Sequence, residues 1–140
     1  MDLGIKEKVF LVTGGASGIG AVICRTIAVK KGIPVIIDRD DKRGTNPVNE
    51  LKSSNHEAFF LKTDLIEESQ CQIAVNATLK KYSRIDSLIN NAGINDGIDL
   101  ENGDLPGFKG SLEKNLHHYY MMAQFSLPSL KRNKGLIVSK

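Results

Sequence analysis

Short apolar runs alternate along the chain with longer segments in which apolar residues recur at helical spacing. Five runs have the length of strands and occupy residues 9–12, 35–37, 58–61, 87–90 and 135–138. Four segments carry the helical pattern and occupy residues 18–31, 47–54, 67–82 and 108–130. Strands that are apolar on both faces are typical of a parallel sheet covered by helices. The pattern therefore predicts an α/β fold, a Rossmann-like doubly wound parallel sheet that is incomplete at its C-terminal side, with right-handed crossovers.

Proline and glycine suggest where the helices begin and end. Gly32 follows the first helical segment, as a C-terminal glycine commonly does. Pro47 suits the first turn of the second helix. Pro128 is expected to kink or end the last helix. Residues 94–107, which are rich in Asn, Asp and Gly, are expected to form a loop before that helix.

The composition is that of an ordinary globular domain. The 140 residues include 19 Lys and Arg against 16 Asp and Glu, which gives a net charge of +3, and the length suits one domain covering residues 1–140. This small charge does not indicate a nucleic-acid partner. We expect no secretory leader, because residues 1–8 lack an apolar region, and no apolar run reaches the ~18 residues that span a membrane. We expect Cys24 and Cys71 to be free buried thiols. The sequence thus predicts a cytoplasmic protein that binds small molecules and no metal.

A glycine-rich turn joins the first predicted strand to the first helix. Gly14 permits a tight turn, Gly18 leaves room for pyrophosphate, and Gly20 lets the helix pack closely on the sheet. Free amides at the helix start, around Ser17 and Ile19, favour a bound anion. The turn therefore predicts a dinucleotide phosphate site; a glycine-rich turn that binds nothing is the alternative. No Gly-Lys-Ser/Thr follows, which excludes a Walker-type phosphate loop.

A carboxylate at the end of the second strand complements this turn. Asp38 follows Gly20 by 18 residues, where an acidic side chain can accept hydrogen bonds from the adenosine ribose. The same charge repels a 2′-phosphate, which favours NAD over NADP, although Arg39, Lys42 and Arg43 could soften the repulsion. An ordinary turn residue at a strand end is the alternative for Asp38.

Four motifs in one order carry a family resemblance. The spacing Gly-x3-Gly-x-Gly with Thr13 ahead of it resembles the cofactor motif of the short-chain dehydrogenase/reductase family. The resemblance continues with Asp64-Leu65 after the third strand, with Asn90-Asn91-Ala92-Gly93 after the fourth, and with Asn115 in the long helix. Together these motifs cover essentially the whole chain.

The resemblance implies roles for the matching residues. Asp64 is expected at the adenine amino group with Leu65 beside it, and Asn91, Ala92 and Gly93 beneath the nicotinamide ribose. Asn115 matches the family's catalytic asparagine, which holds a water in the proton relay. Family members commonly pair through the long helix, so a homo-oligomer, a dimer or a tetramer, is expected.

The segment from Asn95 to Pro128 also resembles sugar dehydrogenases of this family, of the L-fucose dehydrogenase type. It includes consecutive histidines and tyrosines, His117 to Tyr120. Consecutive helix residues point in different directions, so these four cannot all line one pocket. We expect them to be divided between core and surface.

The chemistry implied by the resemblance requires a Tyr followed four residues later by a Lys. None of the three tyrosines, Tyr82, Tyr119 and Tyr120, has such a partner. Ser139 is a candidate for the family's catalytic serine if a few residues are deleted here, since it lies two or more residues before the usual position. An accidental serine at a strand end is an alternative of at least equal weight. We therefore expect a fragment, a partly covered chain or a truncated product of a longer protein, inactive as it stands.

Two functions are compatible with these features. The first is an NAD-dependent oxidoreductase that transfers a hydride between the nicotinamide and an alcohol or carbonyl substrate, possible substrates including a sugar. The second is a dinucleotide-binding module or pseudoenzyme without redox chemistry. A methyltransferase with a glycine-rich first loop is disfavoured by the motif at Asn90 to Gly93.

Overall fold

Five parallel strands form one sheet in the order β3-β2-β1-β4-β5. The structure, a computed structural model, describes residues 2–140. The strands are β1 Val9–Thr13, β2 Ile33–Asp38, β3 Phe59–Lys62, β4 Ser87–Asn90 and β5 Leu136–Ser139. The chain builds outward from β1 to β3 and then crosses back to place β4 on the other side of β1. A doubly wound parallel sheet is thereby confirmed, with the reversal of strand order between β1 and β4.

Helices cover both faces of the sheet. They are α1 Gly18–Val29, α2 Asp41–Ser53, α3 Glu68–Tyr82, α4 Leu105–Leu112 and α5 His118–Arg132, with a π-helical turn Glu113–His117 between the last two. α3 and α5 pack against each other and against one face, where Leu11, Leu88 and Met122 are buried. α1 and α2 cover the other face, where Val12 and Ile36 are buried.

The alternation along each central strand explains the two cores. Leu11 belongs to one apolar cluster and its neighbour Val12 to the other, because successive strand residues point to opposite faces. Both side chains are completely buried. The two cysteines are free, Cys71 in the first cluster and Cys24 in the second. Burial raises the pKa of the Cys24 thiol to about 12 and that of Cys71 to about 11, so both remain protonated.

The second helix begins six residues earlier than its prediction from Pro47. Asp40 is its N-cap, and its side chain accepts a hydrogen bond from the Arg43 amide at 3.0 Å. Pro47 lies inside the helix instead of in its first turn. Gly44 sits directly against the Phe60 ring, where any side chain would collide with the aromatic atoms. Gly44 therefore lets α2 pack closely against β3.

The last helical segment also differs from its prediction. It begins at Leu105, because Asp104 caps it by accepting a hydrogen bond from the Gly107 amide at 2.7 Å. It is then interrupted at Glu113–His117 by the π-helical turn. α5 continues through Pro128 to Arg132. The carbonyl that Pro128 leaves without a helical partner belongs to Gln124, which is exposed to water.

Candidate functional site

The turn between β1 and α1 is held in the shape that the glycines predict. Gly14 and Gly18 have φ angles of +64° and +54°, which favour glycine. Gly20 lies directly against the carbonyl of Gly14, and a Cβ there would collide with that group. Ser17 begins the helix without making a capping hydrogen bond and is exposed. The first amides of a helix have no partner within the helix, so those of α1 face the space beside this turn.

Thr13 connects this turn to the motif after β4. Its hydroxyl oxygen accepts hydrogen bonds from the backbone amides of Asn91 at 3.0 Å and Ala92 at 3.1 Å. The hydroxyl donates to the carbonyl of Ile89 at 3.4 Å. The side-chain amide of Asn91 donates in return to the carbonyls of Thr13 at 3.1 Å and Gly14 at 3.3 Å. The carboxyl ends of β1 and β4 are therefore fixed to each other where the strand order reverses, which is where parallel α/β sheets bind ligands.

Asp38 approaches the turn from the end of β2. One carboxylate oxygen lies 3.4 Å from the backbone nitrogen of Ala16, which donates to it, and the other accepts from the Asp40 amide at 3.3 Å. The carboxylate at the end of β2 thus lies beside the glycine-rich turn, and both line one cleft. Asp64 follows β3, and its carboxylate accepts from the Ile66 amide at 3.1 Å, which orients the residue at the same edge of the sheet.

A cleft of about 390 Å³ runs along these strand ends. Its size lies within the range of small-molecule sites, which is roughly 300–1,000 Å³. Nine of the residues proposed from the sequence line it: Gly14, Ser17, Ile19, Asp38, Asp64, Leu65, Asn91, Ala92 and Gly93. Gly18 and Gly20 lie in the turn without lining the cleft. Four basic residues, Arg39, Arg43, Lys114 and Lys140, also line the cleft.

Asn115 lies in the π-helical turn and borders a second cleft. Its side-chain oxygen accepts from the Ile94 amide at 2.7 Å, and its side-chain nitrogen donates to the Ser111 carbonyl at 3.1 Å. The second cleft, of about 630 Å³, shares Asn91 to Ile94 with the first one. Asn115 therefore stands beside the segment that separates the two spaces.

Ser139 lies outside both clefts. It is exposed on the edge strand β5, in register with Asn90, while the next residue, Lys140, lines both spaces. Tyr119 borders the second cleft, and its hydroxyl donates to the Lys140 carbonyl at 3.3 Å. Burial raises the pKa of the Tyr119 hydroxyl, which disfavours it as a group that gives up a proton.

His118 lines the first cleft although it is almost completely buried. It is 1% exposed, and its Nδ1 is buried without a hydrogen-bond partner among the described residues. Burial lowers the pKa of the imidazole, partly offset by the Lys114 carbonyl that it faces. The ring contacts that of Tyr119 edge-on at 4.9 Å between centroids. His117 and Tyr120 are exposed, which fits the expected division of this run between core and surface.

Sequence reasoning missed several residues that line the first cleft, notably Thr63, Ile94, Lys114 and His118. Thr63 and Ile94 adjoin recognised motifs, so their neighbours could have indicated them. Lys114 and His118 reach the cleft from the π-helical turn and the start of α5, and nothing in the apolar pattern indicates that turn. Within residues 2–140, no three His, Cys, Asp or Glu side chains gather as metal ligands, and none of the helices is both long and apolar enough to traverse a bilayer.

The fold is that of a doubly wound α/β protein with a cleft at the carboxyl ends of its strands, and comparison with known proteins specifies the family. A sequence profile described as short chain dehydrogenase matches residues 8–139. The chain belongs to the short-chain dehydrogenase family.

Individual relatives agree with this assignment. L-fucose dehydrogenase of Bos taurus is 33% identical over 133 residues, which are 94% of this chain and 48% of that protein. The crystal structure of Cj0485 dehydrogenase is 38% identical with a TM-score of 0.89, and the match covers 99% of this chain and 53% of that one. A metagenomic short-chain oxidoreductase in complex with NADP is 26% identical with a TM-score of 0.88, covering 96% of this chain and 62% of that one. This chain spans about half the length of the curated relatives it matches.

Proposed function

We propose that residues 1–140 are the NAD-binding part of a longer oxidoreductase domain. The observation that carries the proposal is the Asp38 carboxylate beside the phosphate turn, 3.4 Å from the Ala16 nitrogen. The turn supplies exposed amides for the diphosphate, and Asp38 supplies acceptors for the ribose hydroxyls. Asp64 and Leu65 would border the adenine. Asn91, Ala92 and Gly93 would lie under the nicotinamide ribose.

The preference for NAD over NADP follows from charge. A 2′-phosphate placed beside Asp38 meets a carboxylate whose two oxygens are already held by backbone amides, so that the side chain cannot easily turn away. Arg39 and Arg43 line the same cleft, but Arg43 is engaged with Asp40 at 3.4 Å. One relative is known in complex with NADP. We therefore expect the affinity for NAD to exceed that for NADP, while the binding of both cofactors remains measurable.

The reaction proposed for the whole protein is hydride transfer to or from an alcohol or carbonyl carbon. Bound nicotinamide would supply the hydride acceptor or donor. The residues of this chain would orient the cofactor. Asn115 would lie at the boundary of the two clefts. The second cleft is lined by hydrogen-bonding groups, among them Asn95, Asp96, Ser111 and Tyr119, which suits a substrate rich in hydroxyls. Similarity to L-fucose dehydrogenase makes a sugar the substrate to test first.

A dinucleotide-binding module without catalysis is the second candidate. The observation in its favour is that the Tyr119 hydroxyl donates to the Lys140 carbonyl and has its pKa raised by burial, so it is poorly placed to exchange a proton with a substrate. Ser139, the candidate for the catalytic serine, lies on the exposed edge strand outside both clefts. These observations favour cofactor binding without turnover by the 140-residue chain itself.

Fluorescence titration with NADH, followed by a turnover assay with NAD and L-fucose, tests both proposals. Saturable NADH binding that is lost in Gly14→Val supports the site, because Val at a φ of +64° is strained and its Cβ would lie 2.9 Å from the Ala92 Cα. Absence of NADH binding by the folded chain would refute the site. Turnover by this chain would refute the module without catalysis.

We also propose a homo-oligomer that forms through α4 and α5 in a reducing, cytoplasmic environment. Apolar side chains are exposed at intervals of three or four residues along these helices, at Leu105, Phe108, Leu112, Leu116 and Tyr120. Phe108 is 52% exposed and Tyr120 is 68% exposed, which is a large apolar surface to leave in water. Sedimentation of the chain and of Phe108→Lys tests this: the variant should be the smaller species.

A further inference from the structure

The loop between the two clefts is attached to α4 by the carboxylate of Asp96. Asp96 follows the segment Asn91 to Ile94, and its side chain is 16% exposed. Its Oδ1 accepts a hydrogen bond from the Ser111 hydroxyl at 3.1 Å. Its Oδ2 is buried without a hydrogen-bond partner among the described residues, and Lys114 Nζ lies 3.7 Å from it. One partly buried carboxylate therefore contacts both α4 and the lysine that follows it.

Ser111 connects Asp96 to Asn115 through hydrogen bonds. An ionised carboxylate can only accept, so the Ser111 hydroxyl proton must point to Asp96 and its lone pairs remain free. The side-chain nitrogen of Asn115 lies 3.1 Å from the Ser111 carbonyl and 3.5 Å from the Ser111 hydroxyl oxygen, and donates towards both. The side-chain oxygen of Asn115 is thereby directed to the Ile94 amide, 2.7 Å away. One of the two contacts that orient the Asn115 amide, the one to the Ser111 hydroxyl, is therefore connected to Asp96, while the contact to the Ser111 carbonyl belongs to the helix backbone.

The contacts also bridge the two clefts. Lys114 lines the first cleft and Asp96 lines the second. The segment that both clefts share, Asn91 to Ile94, ends at the attachment point at Ile94, and the attachment at Asp96 follows two residues later. Without Asp96, this segment would remain attached to the helices through Asn115 alone. The mobility of Ile94 is then expected to rise, because the residue is 45% exposed and has little packing of its own.

We propose that Asp96 is a positioning residue: acting through Ser111, it fixes the side-chain amide of Asn115 and the segment Gly93 to Ile94 between the clefts. Its importance for cofactor binding rests on the proposed function, whereas its effect on Asn115 does not. Lys114 faces Asp96 from the π-helical turn and stabilises the ionised carboxylate.

Hydrogen exchange at the Ile94 amide reports the positioning directly, in the absence of any cofactor. Asp96→Ala and Ser111→Ala should each lower protection of this amide by about tenfold, since each removes one hydrogen bond of ordinary strength from the chain of contacts. Asn115→Ala should remove the protection entirely. Asp96→Asn still offers an oxygen to Ser111 and should keep protection within about threefold of the original. Glu101→Gln removes an exposed carboxylate from the same loop and should have no effect.

The amide of Leu11, in the buried core, serves as the reference for intact folding. If Asp96→Ala does not fold, Ser111→Ala carries the test. Unchanged protection of Ile94 in a folded Asp96→Ala or Ser111→Ala variant would overturn the proposal, as would an equal loss in Glu101→Gln. A separate NADH titration should show several-fold weaker binding by Asp96→Ala than by Glu101→Gln. Failure of the unaltered chain to bind NADH would refute the proposed function and leave the exchange result standing.

Discussion

Thr13 and Asn91 form a reciprocal pair across the first and fourth strands. The Asn91 backbone amide donates to the Thr13 hydroxyl at 3.0 Å, and the Asn91 side chain donates to the Thr13 carbonyl at 3.1 Å. Two residues that are 78 positions apart thereby set the distance between the phosphate turn and the segment proposed to lie under the nicotinamide ribose. Substitution of one hydroxyl can test how much this connection contributes.

Thr13→Val retains the shape of the side chain and removes the hydroxyl. Thr13 is completely buried, so the amides of Asn91 and Ala92 would lose their acceptor without access to water. We expect the free energy of unfolding in urea to fall by about 1–3 kcal/mol. Thr13→Ser restores the acceptor and should recover most of that loss. A Thr13→Val variant as stable as the original would contradict the role of the hydroxyl.

Gly20→Ala tests the close approach of α1 to the turn. The added Cβ would collide with the Gly14 carbonyl, a backbone group that cannot move without displacing the turn. We expect a loss of about 1–3 kcal/mol in stability from the overpacking, together with loss of NADH binding. Gly110→Ala is the matched control, because this helical glycine has nothing within 4 Å of its Cβ position. It should be neutral or stabilising by up to about 1 kcal/mol, and equal losses in both variants would argue against a special role for Gly20.

Asp38→Asn tests the preference between cofactors. The substitution removes the charge that repels a 2′-phosphate and weakens the acceptors offered to the ribose hydroxyls. NADH affinity should fall by about tenfold, as expected for a hydrogen bond to a charged group, while NADPH affinity should fall less or rise. Asp41→Asn, an exposed carboxylate outside the cleft, is the control in both titrations. Equal losses of affinity for NADH and NADPH would contradict the assignment of Asp38 to the ribose.

Burial of His118 predicts a dependence of stability on pH. Burial lowers the pKa of the folded imidazole below its ordinary value of 6.5, so the unfolded chain binds the proton more readily. The stabilisation is therefore complete above pH 6.5 and is lost as the pH falls from there towards the folded pKa. The slope approaches at most about 1.4 kcal/mol per pH unit.

Urea unfolding of the original chain and of His118→Gln, across this range of pH, measures the effect. The difference between the two should shrink as the pH falls below 6.5. His117→Gln, at the exposed neighbouring position, should follow the original chain. A constant difference between the original chain and His118→Gln at every pH would show that the imidazole does not change its protonation on unfolding.

Periodicity predicted the sheet and most of its helices because β1, β2 and β4 are buried on both faces and the apolar pattern dominates there. The start of α2 was predicted wrongly, since Pro47 was expected in the first turn of the helix and lies inside it instead. Only the contact of Gly44 with the Phe60 ring explains the glycine. Local composition could not reveal a constraint that comes from a neighbouring strand.

The candidate site followed from a simple rule of parallel sheets, which brings the carboxyl ends of β1, β2, β3 and β4 to one edge. The positions of Asp38 and Asn91 near the glycine-rich turn could therefore be predicted from the sequence. The contributions of Lys114 and His118 could not, because they depend on the π-helical turn at Glu113–His117. That turn changes which helix residues face the cleft, and helical spacing alone assumes a regular helix.

Titration of the 15N-labelled chain with NADH, followed by NMR, tests the central claim most directly, because it locates the diphosphate. Binding should shift the amide resonances of Ser17, Gly18 and Ile19 saturably, and ADP should shift the same three. Resonances of Gly93 and Ile94 should respond to NADH and much less to ADP, because only NADH carries the nicotinamide ribose. Saturable binding of NADH that leaves Ser17, Gly18 and Ile19 unshifted would contradict the account.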